Sequence, residues 1–347
     1  MYNFFLLCFL LASPVLYEGR YRPLETVPPG AHYTPLEVED YAAVAGTVYL
    51  QAEGKALKFP TFGQLSVERL LHFVPFKWII ISSYLLAAIL FSRYQRLGWA
   101  SLCIGFVLHT AILALRCYVL GRPPVSNMAE TILYVPWIAI VAGFIFHPRA
   151  AVLAAAAILL FLPARVGLEN VQAVLDSQYW LIVHVLMVVG SYGTFCLAGV
   201  LGHLLLIQKK PPYTLEKALV QIMYLGTALL IGGTILGGVW AAQSWGRFWD
   251  WDPKEAWAFI SSGVYLIWIH AYRFKKIGPR GLAVGSIVGL MAITFTWYGV
   301  NYILGSGLHS YGFGHGGEIY YYLYLGAEVF FMASLELKHR IYRKSED

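Results

Sequence analysis

The chain has 347 residues, of which 59% are hydrophobic and 13% charged, about half the charged share of roughly 25% usual in soluble domains. This excludes a soluble enzyme, and the 16% aromatic content excludes a disordered chain, leaving a polytopic membrane protein. The net charge of +6 is scattered over short loops rather than gathered into an arm, which argues against nucleic acid as a partner and fits basic cytoplasmic loops.

Residues 2–16 (YNFFLLCFLLASPVL) are apolar but short for a full span and follow no basic residues. Residues 1–17 therefore read as an anchor, a signal peptide or a truncated transmembrane helix. Residues 18–75 form a polar segment, expected outside the cytoplasm, whose PLETVPPG and HYTPLEVEDY stretches set Pro and Gly against long regular structure. Over 76–347, nine apolar runs follow, at 76–92, 98–120, 131–146, 149–163, 180–207, 218–240, 254–272, 282–304 and 319–337. The third and fourth are separated only by His147-Pro148-Arg149 and read as two spans or as one broken hairpin.

Charge distinguishes these alternatives. Arg93 and Arg96, His147 to Arg149, Lys209 with Lys210 and Lys217, Arg273 to Arg280, and Lys338 to Lys344 mark alternate loops, as cytoplasmic loops should under the positive-inside rule. The alternation holds without violation if all nine runs span. The expected fold is an all-α polytopic membrane bundle of nine core helices plus the N-terminal segment. Cys8, Cys103, Cys117 and Cys196 all lie in apolar stretches and form no CxxC pair. They read as buried structural thiols, not as a zinc site or a covalent heme attachment.

The outward loops, 121–130, 164–179, 241–254 and 305–318, hold the unusual chemistry. Residues 243–257 read QSWGRFWDWDPKEAW, with Trp245, Trp249, Trp251 and Trp257 inside 13 positions and Phe248 among them. Interfacial tryptophans normally appear singly at helix ends; four on one loop make an apolar, polarisable surface suited to a planar aromatic ligand. Asp252-Pro253-Lys254-Glu255 has the form of a helix start, so Asp252 and Glu255 are assigned mainly to capping. Asp250 has no such assignment, and Arg247 is either a solvated charge or a partner for a ligand carboxylate.

Histidine is the second signal. His184 lies about one turn inside the outward end of its run, and His309 and His315 lie in the outward loop GSGLHSYGFGHGGE. His270 sits near the inner end of the helix that starts at the tryptophan loop, and His109 is mid-span. Any single histidine of this kind is as well explained by packing as by function. Two at one level, on either side of a tryptophan loop in chain order, suit axial ligation of heme iron beside an aromatic shelf. The glycines around His309 allow close backbone approach.

WGRFWDWDPKEAWAFI resembles the tryptophan-rich WWD signature of heme-handling cytochrome c biogenesis proteins, and more fully the CcsA/ResC type of the system II cytochrome c synthetase. GRPPVSNMAE (121–130), YWLIVHVLMVVGSYGTF (179–195) and GLHSYGF (307–313) agree with it in order and spacing, so the resemblance covers about residues 70–347. It implies that His184 and His309 ligate heme iron above a platform of Trp245, Trp249, Trp251, Trp257, Phe248, Asp250 and Asp252. Arg247 or Lys254 would then meet a propionate, and His270 would belong to a second, inner heme site in the membrane. His72, His109 and His315 have no counterpart.

The resemblance further implies heme b as substrate, an apocytochrome c carrying CxxCH, and a separate ResB/CcsB-like membrane subunit. A thioredoxin-like thiol reductant is a further candidate partner. The implied setting is a bacterial cytoplasmic or thylakoid-type membrane, with the WWD loop on the outer side. No residue of the chain is assigned as catalytic, because the incoming thiols serve as nucleophiles. The alternatives are a heme exporter or delivery permease without ligation activity, and an unrelated solute transporter; no internal repeat favours the latter.

Overall fold

The computed structural model describes residues 14–17, 20–35, 40–44, 47–52, 55–58, 60–162, 177–307, 309 and 318–346. Most of the N-terminal apolar segment with Cys8, nearly all of the loop 164–179, and His315 lie outside the described residues.

The segment before the helices holds two small antiparallel sheets. One orders β2 (Arg20–Pro23), β1 (Pro14–Tyr17) and β3 (Thr34–Pro35); the other orders β4 (Asp40–Val44), β5 (Thr47–Ala52) and β6 (Lys55–Lys58). Helix α1 (Phe62–Phe73) follows, started by a reciprocal capping box in which Gln64 N–H donates to Thr61 Oγ1 and Thr61 N–H to Gln64 Oε1. Ion pairs of Arg20 with Glu68 and of Arg69 with Glu25 tie the first sheet and the turn after it to this helix. The Pro and Gly spacing of 18–75 gave no hint of α1, whose start is set by the local Thr-x-x-Gln pattern.

The remaining helices are α2 (Phe76–Leu90), α3 (Gln95–Leu120), α4 (Met128–Ile145), α5 (Pro148–Leu160), α6 (Leu181–Ile207), α7 (Tyr213–Trp245), α8 (Pro253–Arg273), α9 (Pro279–Leu304) and α10 (Glu318–Glu346). The short turn Gln178–Trp180 leads into α6. The nine apolar runs fall on α2 to α10, yet the expectation of nine spans does not follow from these lengths. Among the described residues, five helices are long and apolar enough to cross a membrane: α3, α4, α6, α7 and α9. The count is six if α1 and α2, bent by 59° at Val74-Pro75, form one broken span. Helix α5 has 13 residues, about 20 Å at 1.5 Å per residue and short of the roughly 30 Å hydrocarbon core.

Helix α6 is the centre of the bundle, packed by α7, α9, α4 and α5. Two thirds of its apolar window is buried, which is why its sequence is apolar on every side. The mid-span His109 is a core residue. Its Nε2–H donates to Leu133 C=O at 2.8 Å and its Nδ1 accepts from Tyr84 O–H at 3.0 Å. Cys196 is buried in α6, but Cys103 and Cys117 lie on the exposed side of α3. For these two the expectation of buried thiols is corrected: an apolar helix in a membrane need not turn its apolar residues inward.

Candidate functional site

Helix α7 ends where Gly246 turns left-handed at φ 73°, and the chain runs through the tryptophan loop to the start of α8. There Asp252 and Glu255 form the expected capping box, with Pro253 at the first helical position. Glu255 also accepts the backbone N–H of Asp250 at 2.9 Å, folding the loop back on the helix.

One cavity collects residues from five regions around this point. The segment before α4 gives Val125, Ser126 and Asn127, and α4 itself gives Met128 and Thr131. Helix α6 gives His184, Val188 and Tyr192, spaced four residues apart on one helical face. Helix α7 gives Thr234, Gly237 and Gly238; the loop and α8 give Trp249, Lys254, Glu255 and Ala258; α9 gives Trp297 and Asn301, and His309 follows it in the chain.

His184 sits in a π-helical turn, Leu181–Val185, and α9 widens likewise over Phe295–Leu304; such turns recur at functional sites because they re-aim side chains and free backbone groups. The Nδ1 of His184 lies 2.7 Å from Gly233 C=O. A carbonyl only accepts, so Nδ1 carries the proton and, in the neutral ring, Nε2 holds the lone pair. The imidazole also lies edge-on to Trp240, ring centroids 5.8 Å apart, and Trp240 stacks on Trp180 at 6.3 Å and 13°. A Cβ on Gly237 would stand 2.5 Å from His184 Cε1, so this position is open only to glycine while the ring stays in place.

His309 is held in the same tautomer by a carboxylate. Its Nδ1–H donates to Asp252 Oδ1 at 2.9 Å, and its side chain is 13% exposed against 2% for Asp252. This is the carboxylate–imidazole arrangement that orients metal-ligating histidines and raises their basicity. Gly307, at φ 121°, makes it possible: a Cβ there would lie 2.3 Å from Asp252 Oδ2.

The tryptophans separate into different environments. Trp249 lines the cavity, and its indole nitrogen is buried without a hydrogen-bond partner. Trp245 meets His309 edge-on at 5.8 Å. Trp251 is 71% exposed, adopts a left-handed φ of 56° and stands at 87° to Trp249. Trp257 turns inward against Phe295 at 4.1 Å, and Phe248 is half exposed with its ring over Gly238. The four indoles thus do not form one flat shelf.

Charged residues of the loop are already paired. Arg247 bonds Asp250 at 2.6 Å, and Lys254 Nζ donates to the carbonyls of Thr296 and Trp297. His270 lies outside the cavity, near the end of α8, its Nδ1–H on Leu266 C=O and its ring 6.2 Å from Phe274. The structure therefore brings His184, His309, Trp249 and Lys254 to one cavity and leaves His270 apart from them.

Five wall residues were not singled out from sequence: Asn127, Thr131, Tyr192, Trp297 and Asn301; nor was Trp240, which packs against His184. The Asn127-x-x-Glu130 cap pattern and the four-residue spacings His184–Val188–Tyr192 and Trp297–Asn301 were available signals. Trp297 Nε1–H donates to Thr131 Oγ1 at 2.8 Å, joining α9 to α4 across the cavity wall.

Sequence comparison places this site in a family. The family described as "Cytochrome C assembly protein" matches residues 125–309, more than half of the chain and the whole stretch from the Val125 wall to His309. The chain belongs to the cytochrome c assembly protein family. Among similar members, "Protein NrfI" of Wolinella succinogenes is 34% identical over 245 residues, covering 64% of this chain and 26% of that protein. "Cytochrome c biogenesis protein CcsA" of Chlamydomonas reinhardtii is 36% identical over 145 residues, 39% of this chain and 41% of the relative. The CcsA protein of Trieres chinensis is 28% identical over 272 residues, 63% of this chain and 87% of the relative. The chain thus matches well under half the length of the first two relatives. The solved structure of "Cytochrome c Heme Lyase CcmF" shares the fold with a TM-score of 0.51 at 13% identity, over 79% of this chain and 50% of that one. A cytochrome c assembly protein of this kind, with its apolar helices, is an integral membrane protein.

Proposed function

We propose that this chain binds heme between His184 and His309 and holds it for attachment to apocytochrome c, as the membrane subunit of a system II synthetase. The observation that carries this reading is the pair of histidines themselves. They are 125 positions apart in sequence, line one cavity, and each has Nδ1 committed to a protein acceptor, which leaves Nε2 as the ligating atom of both.

The substrate chemistry asks little else of the protein. Each cysteine thiol of a CxxCH segment adds across a heme vinyl group: sulfur bonds to one vinyl carbon, the thiol hydrogen ends on the other, and nothing is released. Holding the vinyl edge beside the peptide is then the main contribution. Trp249 and the indoles at the mouth would pack the ring, and the apocytochrome histidine would displace one axial ligand as product leaves. His270, on the outside of α8, would serve an inner heme site completed by a ResB/CcsB-like subunit; a thioredoxin-like reductant would keep the CxxCH thiols reduced. In this arrangement the tryptophan loop faces outward from a bacterial cytoplasmic or thylakoid-type membrane.

The test is the absorption spectrum of the purified full-length chain loaded with hemin. A low-spin, six-coordinate spectrum is expected, lost in His184→Ala and in His309→Ala. Unchanged spectra in both variants would sink the assignment. Co-expression with the partner subunit and an apocytochrome then separates covalent attachment from delivery alone.

A further inference from the structure

Lys254 follows Pro253 at the start of α8 and lines the cavity, where a cation would ordinarily be expected to meet a ligand's carboxylates. Its side chain instead reaches α9. The Nζ donates to Thr296 C=O at 2.7 Å and to Trp297 C=O at 3.0 Å, both in the widened turn Phe295–Leu304. A π-helical turn re-aims its carbonyls out of the ordinary i to i+4 ladder, and a half-buried ammonium offers them several donors at once.

The same two turns of α8 grip the same spot twice more. Ser261 Oγ bonds Thr296 Oγ1 at 2.8 Å, and Thr296 Oγ1–H reaches Trp257 C=O at 3.1 Å. Thr296 is fully buried. Downstream of this grip the chain carries Trp297 into the cavity wall and then reaches His309, which is bonded back to Asp252 at the start of α8.

We propose that Lys254 is a positioning residue that clamps the start of α8 to the widened turn of α9, and thereby sets His309 and Trp297, rather than a contact for the ligand's carboxylates. This rests on the heme reading above.

The experiment compares the full-length wild type, Lys254→Met and Lys254→Arg, each titrated with hemin and with hemin dimethyl ester, whose carboxylates are masked. Lys254→Met is expected to weaken both ligands equally, by tenfold or more, and to turn the six-coordinate spectrum five-coordinate; added imidazole should restore six-coordination. Lys254→Arg, with two N–H groups for the two carbonyls, should keep the wild-type spectrum. Should Lys254→Met fail to fold, the double variant Ser261→Ala/Thr296→Val loosens the same contact of α8 with the widened turn by cutting its two side-chain bonds, leaves the lysine and its carbonyl partners in place, and should shift the spectrum the same way. Weakening confined to hemin, with the ester unaffected, or an unaltered spectrum in the clamp variants, overturns the proposal. A wild-type chain that binds neither ligand overturns the heme reading itself, which keeps the two failures apart.

Discussion

Asp252 performs two tasks with one carboxylate: its Oδ1 accepts the Nδ1–H of His309 at 2.9 Å and the backbone N–H of Lys254 at 2.9 Å. Helix start and imidazole orientation are therefore coupled. Asp252→Asn should preserve most of the cap, since Asn caps about as well as Asp, while replacing a charged acceptor of the histidine by a neutral one. Removing such an orienting partner costs about 10- to 100-fold in metal-site affinity. Hemin affinity should fall in that range with little change in thermal stability. Equal loss in an Asp252→Ala variant that also melts earlier would identify the cap as the only role.

How much of this was legible in the sequence depends on whether the determining contacts are local. The capping box at Asp252 and Glu255 was, because its partners are three residues apart. The apolar runs of α2 to α10 were also legible, since hydropathy marks a helix whether or not it spans. The second task of Asp252 was not, because its partner lies 57 positions away. A loop crowded with tryptophans says that aromatic surface is needed, but not that Trp257 turns inward to Phe295 while Trp251 turns out. The π-helical stretches at His184 and Trp297 leave no hydropathy signal, because the residues in them are as apolar as those of the regular helix on either side.

Gly237 tests the seat of the other histidine. An alanine there places a methyl group 2.5 Å from His184 Cε1, and the ring must swing off Gly233 C=O to make room. Gly237→Ala, at a normal helical φ, should leave the fold intact and raise helix propensity by up to about 1 kcal/mol. It should nonetheless lower hemin affinity at least tenfold and abolish the low-spin spectrum. Gly238→Ala pushes on Phe248 instead, a half-exposed ring with room to move, and should have the smaller effect. Equal spectra in the two variants would count against the seat at Gly237.

His147 gives the protein a pH-dependent joint outside the spans. Its Nδ1 accepts the N–H of Ala150 as the cap of α5, and burial lowers its pKa from the ordinary value. The accepting form is the neutral one. With the folded-state pKa depressed, this stabilisation is fully present above the ordinary value near 6.5, and it is lost as pH falls through the depressed folded value. The wild type should melt at lower temperature on acidification. His147→Asn, which caps without titrating, should flatten part of that slope, and a slope identical to wild type would rule His147 out as its source.

Glu130 anchors a buried ionic cluster beside the cavity. It is fully buried, accepts Ser126 N–H at 2.9 Å and Ser126 O–H at 2.8 Å, and pairs with Arg122 at 3.2 Å. Arg116 approaches its other oxygen at 4.0 Å. These bonds fold the segment 121–127 so that Val125, Ser126 and Asn127 face the cavity, while Asn127 caps α4 through Glu130 N–H. Glu130→Gln keeps the shape but removes the charge, leaving buried guanidinium groups short of their counter-ion, which typically costs about 3–5 kcal/mol. The variant should melt well below wild type. Because Ser126 and Asn127 form the wall facing His184, hemin binding should weaken even at temperatures where the chain stays folded. Glu130→Asp retains the charge one methylene short and should fall between the two. A Glu130→Gln protein with wild-type melting would mean that the arginines are neutralised elsewhere, and a variant that melts early yet binds hemin normally would separate this cluster from the site.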